Sequence, residues 1–400
     1  MMAALFAARN GAEVTLVERN EKLGKKVYIT GKGRCNVTNA AEMEAFQRCV
    51  FRNPRFLYAA FAHLDNRGAM ALFEELGVPL KVERGNRVFP ASDKSSDVIA
   101  ALRRGLERAG VAVRLNARVA SLIVEDGRCA GAKLEGGEAL PADAVILATG
   151  GLSYPSTGST GDGFRMALES GHGVEEALPA LTPIETRESW PGVLSGLSLK
   201  NVRLSAYVAG AKKEKKLYSE MGEMLFTHFG ISGPLALTLS SLMPPAPSLV
   251  RLEIDLKPAL DAQTLDARLL RDFREMSRKQ LITVMDGLAP HSLAEQLVKL
   301  AGLSPAMPVN GVTAPQRAAL LGVLKAVPLR VKALRGFDEA IITRGGVCVK
   351  DINPSTMQSK RLPGLFFAGE LIDVDAATGG YNLQIAWSTG ALAGASAAGE

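Results

Sequence analysis

Gly364-Leu365-Phe366-Phe367-Ala368-Gly369-Glu370, followed by Thr378-Gly379-Gly380-Tyr381-Asn382-Leu383-Gln384, decides the fold. The first segment is an apolar run of strand length that stops at a glycine and an acid. The second is a glycine turn leading into a stretch of small residues that reads as a helix. A helix N-terminus carries about half a positive charge and backbone N–H groups without intrahelical partners. A buried strand ending in Gly-acid and paired with such a helix start reads as a ligand-holding edge, with an ordinary helix start as the plain alternative.

The other end of the chain supplies the complementary half. Met1–Asn10 reads as a helix rich in small residues, with Ala3, Ala4, Ala7 and Ala8 suited to lying close against a sheet. Gly11 stands where a glycine ends a helix. Glu13-Val14-Thr15-Leu16-Val17-Glu18 then reads as a buried strand closed by an acid. Helix, glycine, strand and terminal acid form the second half of a dinucleotide-binding βαβ unit, whose acid accepts hydrogen bonds from ribose hydroxyls. The strand and G-x-G-x-x-G turn of the first half are not in the sequence, which begins inside the helix. The expectation is a reading frame whose start lies upstream, and a chain that, as written, holds its cofactor poorly. The alternative is a native N-terminal helix with Glu18 an ordinary surface acid.

Glu18 and Glu370 stand about 350 residues apart, a spacing that suits a long cofactor reaching a distant flavin end and favours FAD over NAD. Three segments between them add to this. Gly31 and Gly33, in Thr30-Gly31-Lys32-Gly33-Arg34-Cys35-Asn36-Val37-Thr38-Asn39, permit close backbone approach to a flat ligand, and Arg34, Asn36 and Thr38 offer donors. Ala142–Ala148 reads as a strand running into Thr149-Gly150-Gly151. Gly158–Gly163 is rich in glycine but lacks the dinucleotide spacing, and is expected to turn the chain into a helix near Phe164. No second dinucleotide fingerprint is found, so NAD(P)H, if used, is expected to dock transiently as the reductant.

Thr30–Asn39 resembles the signature of the YhiN/BaiN-type flavoproteins, bacterial proteins described as NAD(P)/FAD-dependent or aminoacetone-oxidase-like oxidoreductases. Further matching segments are Ala148–Gly163, Leu225-Phe226-Thr227-His228-Phe229-Gly230-Ile231-Ser232-Gly233-Pro234, Thr343-Arg344-Gly345-Gly346 and Gly364–Gly390. The resemblance spans essentially the whole chain and departs from the pattern at the N-terminal strand and glycine loop. It implies an α/β, two-dinucleotide-fold (Rossmann-like) FAD domain with an inserted β-barrel and helical region. It also implies cofactor contacts from Glu18, Arg19, Lys26, Gly33, Arg34, Cys35, Asn36, Val119, Thr149, Gly150, Gly151, Gly369, Glu370, Gly380, Tyr381, Asn382 and Leu383. For Val119, in a strand read over Asn116–Leu122, an ordinary strand valine is an equal reading. At the position of Glu370 Asp is commoner in related flavoproteins.

Bulk properties narrow the class. The chain has 400 residues, and one core rarely grows past about 250–300, so several domains are expected. The FAD halves are read as 1–184 and 340–400, a β-rich insertion as 185–260 and a helical insertion as 261–339. In the insertion Val202–Ala209 and Val250–Leu256 read as strands about a basic Lys212–Lys216 tip; Leu265–Met276, Leu293–Leu300 and Pro315–Leu324 read as helices. No apolar run nears the roughly 18 residues of a membrane span, and no signal-peptide pattern opens the chain, so a cytoplasmic protein is expected. Cys35, Cys49, Cys129 and Cys348 form no C-x-x-C pair or zinc spacing, and no metal site is expected. Nor is there the cysteine pair of a disulfide reductase, since Ala40 stands five positions after Cys35.

Net charge is +6, with 47 Lys and Arg against 41 Asp and Glu. A mild excess without a basic, aromatic-interleaved tail points away from a nucleic-acid partner. The expected activity is hydride transfer through flavin N5, from NAD(P)H to an unsaturated small molecule or oxygen. A flavin-dependent tRNA-modifying protein and a non-catalytic remnant are the alternatives. Catalytic candidates are His228, read either as a structural histidine or as a proton donor, and Cys35, read either as a single thiol at the flavin or as an inert buried one.

Overall fold

The computed structural model describes residues 1–208 and 214–399. Lys212 and Lys213 of the basic run lie outside the described residues. The chain divides into two compact units, Met1–Ala180 with Phe337–Glu400, and Leu181–Gly336.

The first unit holds two parallel strand pairs. Thr15–Val17 pairs with Ala112–Arg114, and Val145–Leu147 pairs with Leu365–Phe367. Phe366 and Phe367 are fully buried, as expected of parallel strands covered on both faces. Antiparallel elements complete the unit. Val119–Glu125, Arg128–Leu134 and Ala139–Pro141 form one sheet, and Thr38–Asn39, Arg87–Pro90 and Leu80–Glu83 another. Val174–Ala180 pairs with Ile342–Val347. The strand read over Asn116–Leu122 starts only at Val119, because Asn116 adopts a left-handed turn (φ 53°) and its N–H goes to the carbonyl of Asn20. The helix expected near Phe164 begins at Asp162, directly after left-handed Gly161.

The terminal helices, Met2–Arg9 and Tyr381–Ala397, are in close contact through small residues. A Cβ on Gly394 would sit 2.2 Å from the carbonyl oxygen of Ala3. The polar groups that the C-terminal helix buries are all engaged. Gln384 donates to Leu64 O and accepts from Thr38 Oγ1, and Trp387 Nε1 donates to Val37 O at 2.9 Å. The glycine loop and the C-terminal helix are thereby fastened together by buried hydrogen bonds.

The second unit is a closed barrel in the strand order Ile184–Thr186, Gly230–Ser232, Lys215–Thr227, Ser198–Val208, Val250–Asp255, Val327–Leu334. Helices Ala262–Glu275, Leu281–Met285, His291–Leu300 and Ala314–Lys325 stand between its last two strands. The sequence reads 261–339 as a helical insertion, with helical patterns dominating as far as about Val327. Within it, Val327–Leu334 alternates buried and exposed residues and closes the barrel against both Val250–Asp255 and Ile184–Thr186. Pro328 disguises this strand, but it faces outward at a tolerated position. Among the described residues no helix is long and apolar enough to cross a membrane.

Candidate functional site

Ligands of parallel α/β sheets bind beyond the carboxyl ends of the strands. In the first unit those ends carry Glu18, Thr149-Gly150-Gly151 and Gly369-Glu370. Because Leu147 and Phe367 are partners in register, the last two segments leave the sheet side by side. A Cβ on Gly151 would lie 2.3 Å from Thr343 Oγ1 and 3.0 Å from Glu370 Oε1. Glycine at 151 therefore lets both side chains into the site.

Glu370 is the centre of a polar cluster. Its Oε1 accepts from Thr343 N at 2.9 Å, Ser153 Oγ at 2.8 Å and Lys26 Nζ at 2.9 Å. Its Oε2 has Lys26 Nζ at 2.7 Å as its partner among the described residues, which leaves acceptor capacity on that oxygen. Lys26 also donates to Ser153 Oγ at 2.6 Å. Thr343 Oγ1 in turn accepts from the backbone N–H groups of Leu152 and Ser153. Ser153 and Thr343 were not singled out from the sequence, although both stand inside the family-like segments that flank them.

The C-terminal helix starts at Gly380, whose φ of 98° is open to glycine alone. A Cβ there would fall 2.3 Å from the carbonyl oxygen of Thr38 and 3.0 Å from Asn36 Oδ1. That Asn36 oxygen is buried and has no hydrogen-bond partner among the described residues. The N–H groups of Tyr381, Asn382 and Leu383 likewise have no acceptor among the described residues. Asn382 does not offer its side chain to a ligand. It grips the preceding loop, accepting from Ala376 N and donating to Ala376 O and Ala377 O. Burial pushes the Tyr381 phenol up from its ordinary value. Leu383 packs against core residues.

At the opposite strand end Glu18 accepts from Asn20 N at 2.9 Å and Asn20 Nδ2 at 2.7 Å, both through Oε1. Asn20 also reaches the carbonyl of Thr157. The glycine-rich segment 158–163 is thus brought onto the Glu18 strand end, where Arg19 and Arg118 both bond Asp162. The hydrogen bond from Arg118 is the main reason that the Asp162 carboxyl lies below its ordinary range.

Several expected contacts are engaged elsewhere. Arg34 is committed to Glu83 and Asp93 and stacks 4.1 Å over Phe89, which fastens the loop to the Leu80–Pro90 hairpin. Cys35 adopts φ 57° and is wholly buried, and burial raises its thiol to about 12. Burial of this depth disfavours its thiolate form. Gly33 is left-handed with open space around it. Val119 pairs with Leu134 and is half-buried. His228 belongs to the second unit, between Lys215–Thr227 and Gly230–Ser232, with its ring against Phe229.

The donor set suits FAD. Glu18, bonded only through Oε1 among the described residues, and Glu370 through Oε2 could each accept from a cofactor hydroxyl. The unengaged N–H groups of Tyr381–Leu383 and the orphaned Asn36 oxygen match a ring edge carrying both a carbonyl and an N–H.

Residues 1–396 match a family model described as the HI0933-like protein Rossmann domain. The chain is 32% identical to a 3-dehydro-bile acid delta(4,6)-reductase of Clostridium scindens, across 100% of this chain and 96% of that protein. It is 28% identical to ribosomal RNA dihydrouridine synthases of Haemophilus influenzae and Escherichia coli, across 97% of this chain and 93% of each. Among solved structures, a quinol-fumarate reductase with menaquinol molecules has a TM-score of 0.50 at 16% identity, covering 100% of this chain and 68% of that one. That last likeness is one of fold.

Proposed function

We propose, for a chain that belongs to the HI0933-like family of FAD-binding Rossmann-domain oxidoreductases, that it adds hydrogen across a carbon–carbon double bond conjugated to a carbonyl. Bound FAD supplies hydride transfer at its N5. The chain's own part is to hold and polarise. Glu18 and Glu370 fix the two ends of the cofactor. The first turn of the C-terminal helix stabilises negative charge on the ring edge, and Asn36 accepts from it.

The observation that supports this reading is that the Asn36 oxygen, without a partner among the described residues, lies beside Gly380, where the helix with the unengaged Tyr381–Leu383 N–H groups begins. The choice of a conjugated double bond is supported by the relatives. The names "delta(4,6)-reductase" and "dihydrouridine synthase" both describe hydrogen added to an unsaturated ring. NAD(P)H is the proposed reductant, docking without a nucleotide domain of its own.

A second reading takes the double bond to be that of a uracil base in RNA. The charge distribution favours it. Residues 181–336 hold 20 Lys and Arg against 13 Asp and Glu, whereas the rest of the chain holds 27 against 28. The basic excess of the whole chain therefore resides in the second unit, and a concentrated excess attracts phosphates more than a dispersed one does.

One experiment tests both readings. The flavin-loaded protein is bleached anaerobically with NADH or NADPH, then offered a cyclic enone or a uridine-containing ribosomal RNA fragment. Re-oxidation by the enone supports the first reading, and salt-sensitive re-oxidation by the RNA the second. A flavin that no nicotinamide bleaches, or that neither acceptor re-oxidises, overturns the assignment.

A further inference from the structure

Asp375 is fully buried, and neither of its carboxylate oxygens has a hydrogen-bond partner among the described residues. Its backbone is fixed on both sides. The Asp375 carbonyl accepts from Phe51 N at 2.8 Å, and the next residue, Ala376, is held by the Asn382 side chain at 2.9 and 2.8 Å. Asn382 is the second residue of the C-terminal helix. The carboxyl and the helix start consequently belong to one rigid piece.

The charged groups around Asp375 do not satisfy it. Arg52 Nε is 3.9 Å from Oδ1 but donates to Asp373 at 2.9 Å. Asn53 also donates to Asp373, at 3.1 Å. Arg344, on Ile342–Val347, attracts Asp375, and Asp373 repels it. Glu175 and Glu176, on the paired strand, act on Arg52 and Arg344 respectively. Burial outweighs the two guanidinium groups and raises the Asp375 carboxyl to about 7. A desolvated carboxylate without donors is unfavourable, and the site has room in its chemistry for only one easy remedy, a proton.

We infer that Asp375 is a positioning residue for the flavin, a proton-holding carboxyl whose ionisation weakens the positive potential at the first turn of the C-terminal helix. The inference rests on the flavin assignment above. Neutral Asp375 leaves the helix end free to stabilise negative charge on the reduced ring. Ionised Asp375 opposes it, with the proton released to solvent and no other bond changed.

Three measurements test this. In wild-type protein labelled with 13C at aspartate carboxyls, one resonance titrates near neutrality and is missing from Asp375→Asn. The melting temperature of Asp375→Asn exceeds that of wild type by a margin that widens by several degrees from pH 4.5 to 7, then stays level. In the flavin-loaded proteins the midpoint potential of wild type falls more steeply through neutrality than that of Asp375→Asn. A constant melting margin, or superposed potential profiles, overturns the inference. A widening margin in a protein that never takes up FAD instead sinks the flavin assignment and with it the positioning role, leaving only a buried proton. The wild-type resonance decides the proton even if Asp375→Asn fails to fold.

Discussion

Lys26 Nζ lies 2.7 Å from Glu370 Oε2, joining residues 344 positions apart in the chain. The pair is partly shielded, with side-chain exposures of 24% and 20%, so it has more weight than a surface ion pair. Lys26, in the short helix Lys25–Ile29, is thereby tied to the acid at the end of the Leu365–Phe367 strand.

Lys26→Met removes the charge but retains most of the packing. Loss of a hydrogen bond to a charged partner costs about 1.5–3 kcal/mol, so FAD affinity should fall at least roughly tenfold in a fluorescence titration. In a cycle with Glu370→Gln the two changes should be less than additive, with a coupling of about 0.5–3 kcal/mol. Full additivity would separate Lys26 from Glu370 in function.

Two left-handed glycines in the same region should behave differently. Gly380→Ala places a Cβ 2.3 Å from the Thr38 carbonyl oxygen, so backbone must move. The loss should reach about 3 kcal/mol or more in urea denaturation, with loss of flavin. Gly33→Ala, at φ 85° with nothing within 4 Å, meets only backbone strain of about 1 kcal/mol. Equal losses at the two positions would contradict the contact between Gly380 and Thr38.

His172 sets an acid limit on stability. Its ring is buried between the carbonyl of Ala167 (Nδ1, 3.1 Å) and Ser359 Oγ (Nε2, 2.7 Å), and burial lowers its proton affinity below the ordinary value. Above about pH 6.5 folded and unfolded forms are both neutral and the group has no effect. Below it the unfolded chain binds a proton that the folded one resists, so stability falls as pH drops towards the folded value. Melting temperatures of His172→Gln should show a flatter acid limb than wild type. This limb runs opposite to that of Asp375, which loses stability as pH rises.

The sequence reveals what is local. The strand ending in Glu18, the Gly369-Glu370 end and the glycine start at Gly380 each have a signature within about ten residues. What it conceals depends on distant chain. Arg34 looked like a ligand donor because nothing nearby in sequence claims it, yet Glu83 and Asp93 do. Cys35 sits in a glycine-rich loop that leaves open whether it meets a ligand or the core, and it lies in a buried cluster with Val37 and residues from distant parts of the chain. Asp375 stands in an ordinary loop, and the groups that act on its carboxyl include Arg52 and Arg344 from distant parts of the chain. Ser153 and Thr343 are small polar residues without periodicity, and their roles exist only once Gly151 admits them beside Glu370.

The clamp made by Asn382 allows geometry and charge at the helix start to be separated. Asn382→Ala frees the loop and leaves the N–H of fully buried Ala376 without an acceptor, at a cost of about 1–3 kcal/mol. Asn382→Asp retains that acceptor but sets a carboxylate against the carbonyls of Ala376 and Ala377, so it too loses stability. The two variants differ in one respect that matters to the ligand, a negative charge in the first turn of the helix. If that turn faces the flavin, Asn382→Asp should have the lower midpoint potential. An effect of about 1 kcal/mol, usual for a charge at a helix end, corresponds to roughly 20 mV for a two-electron couple. Equal potentials in the two variants, measured at matched flavin occupancy, would mean that the helix start is not the flavin's neighbour.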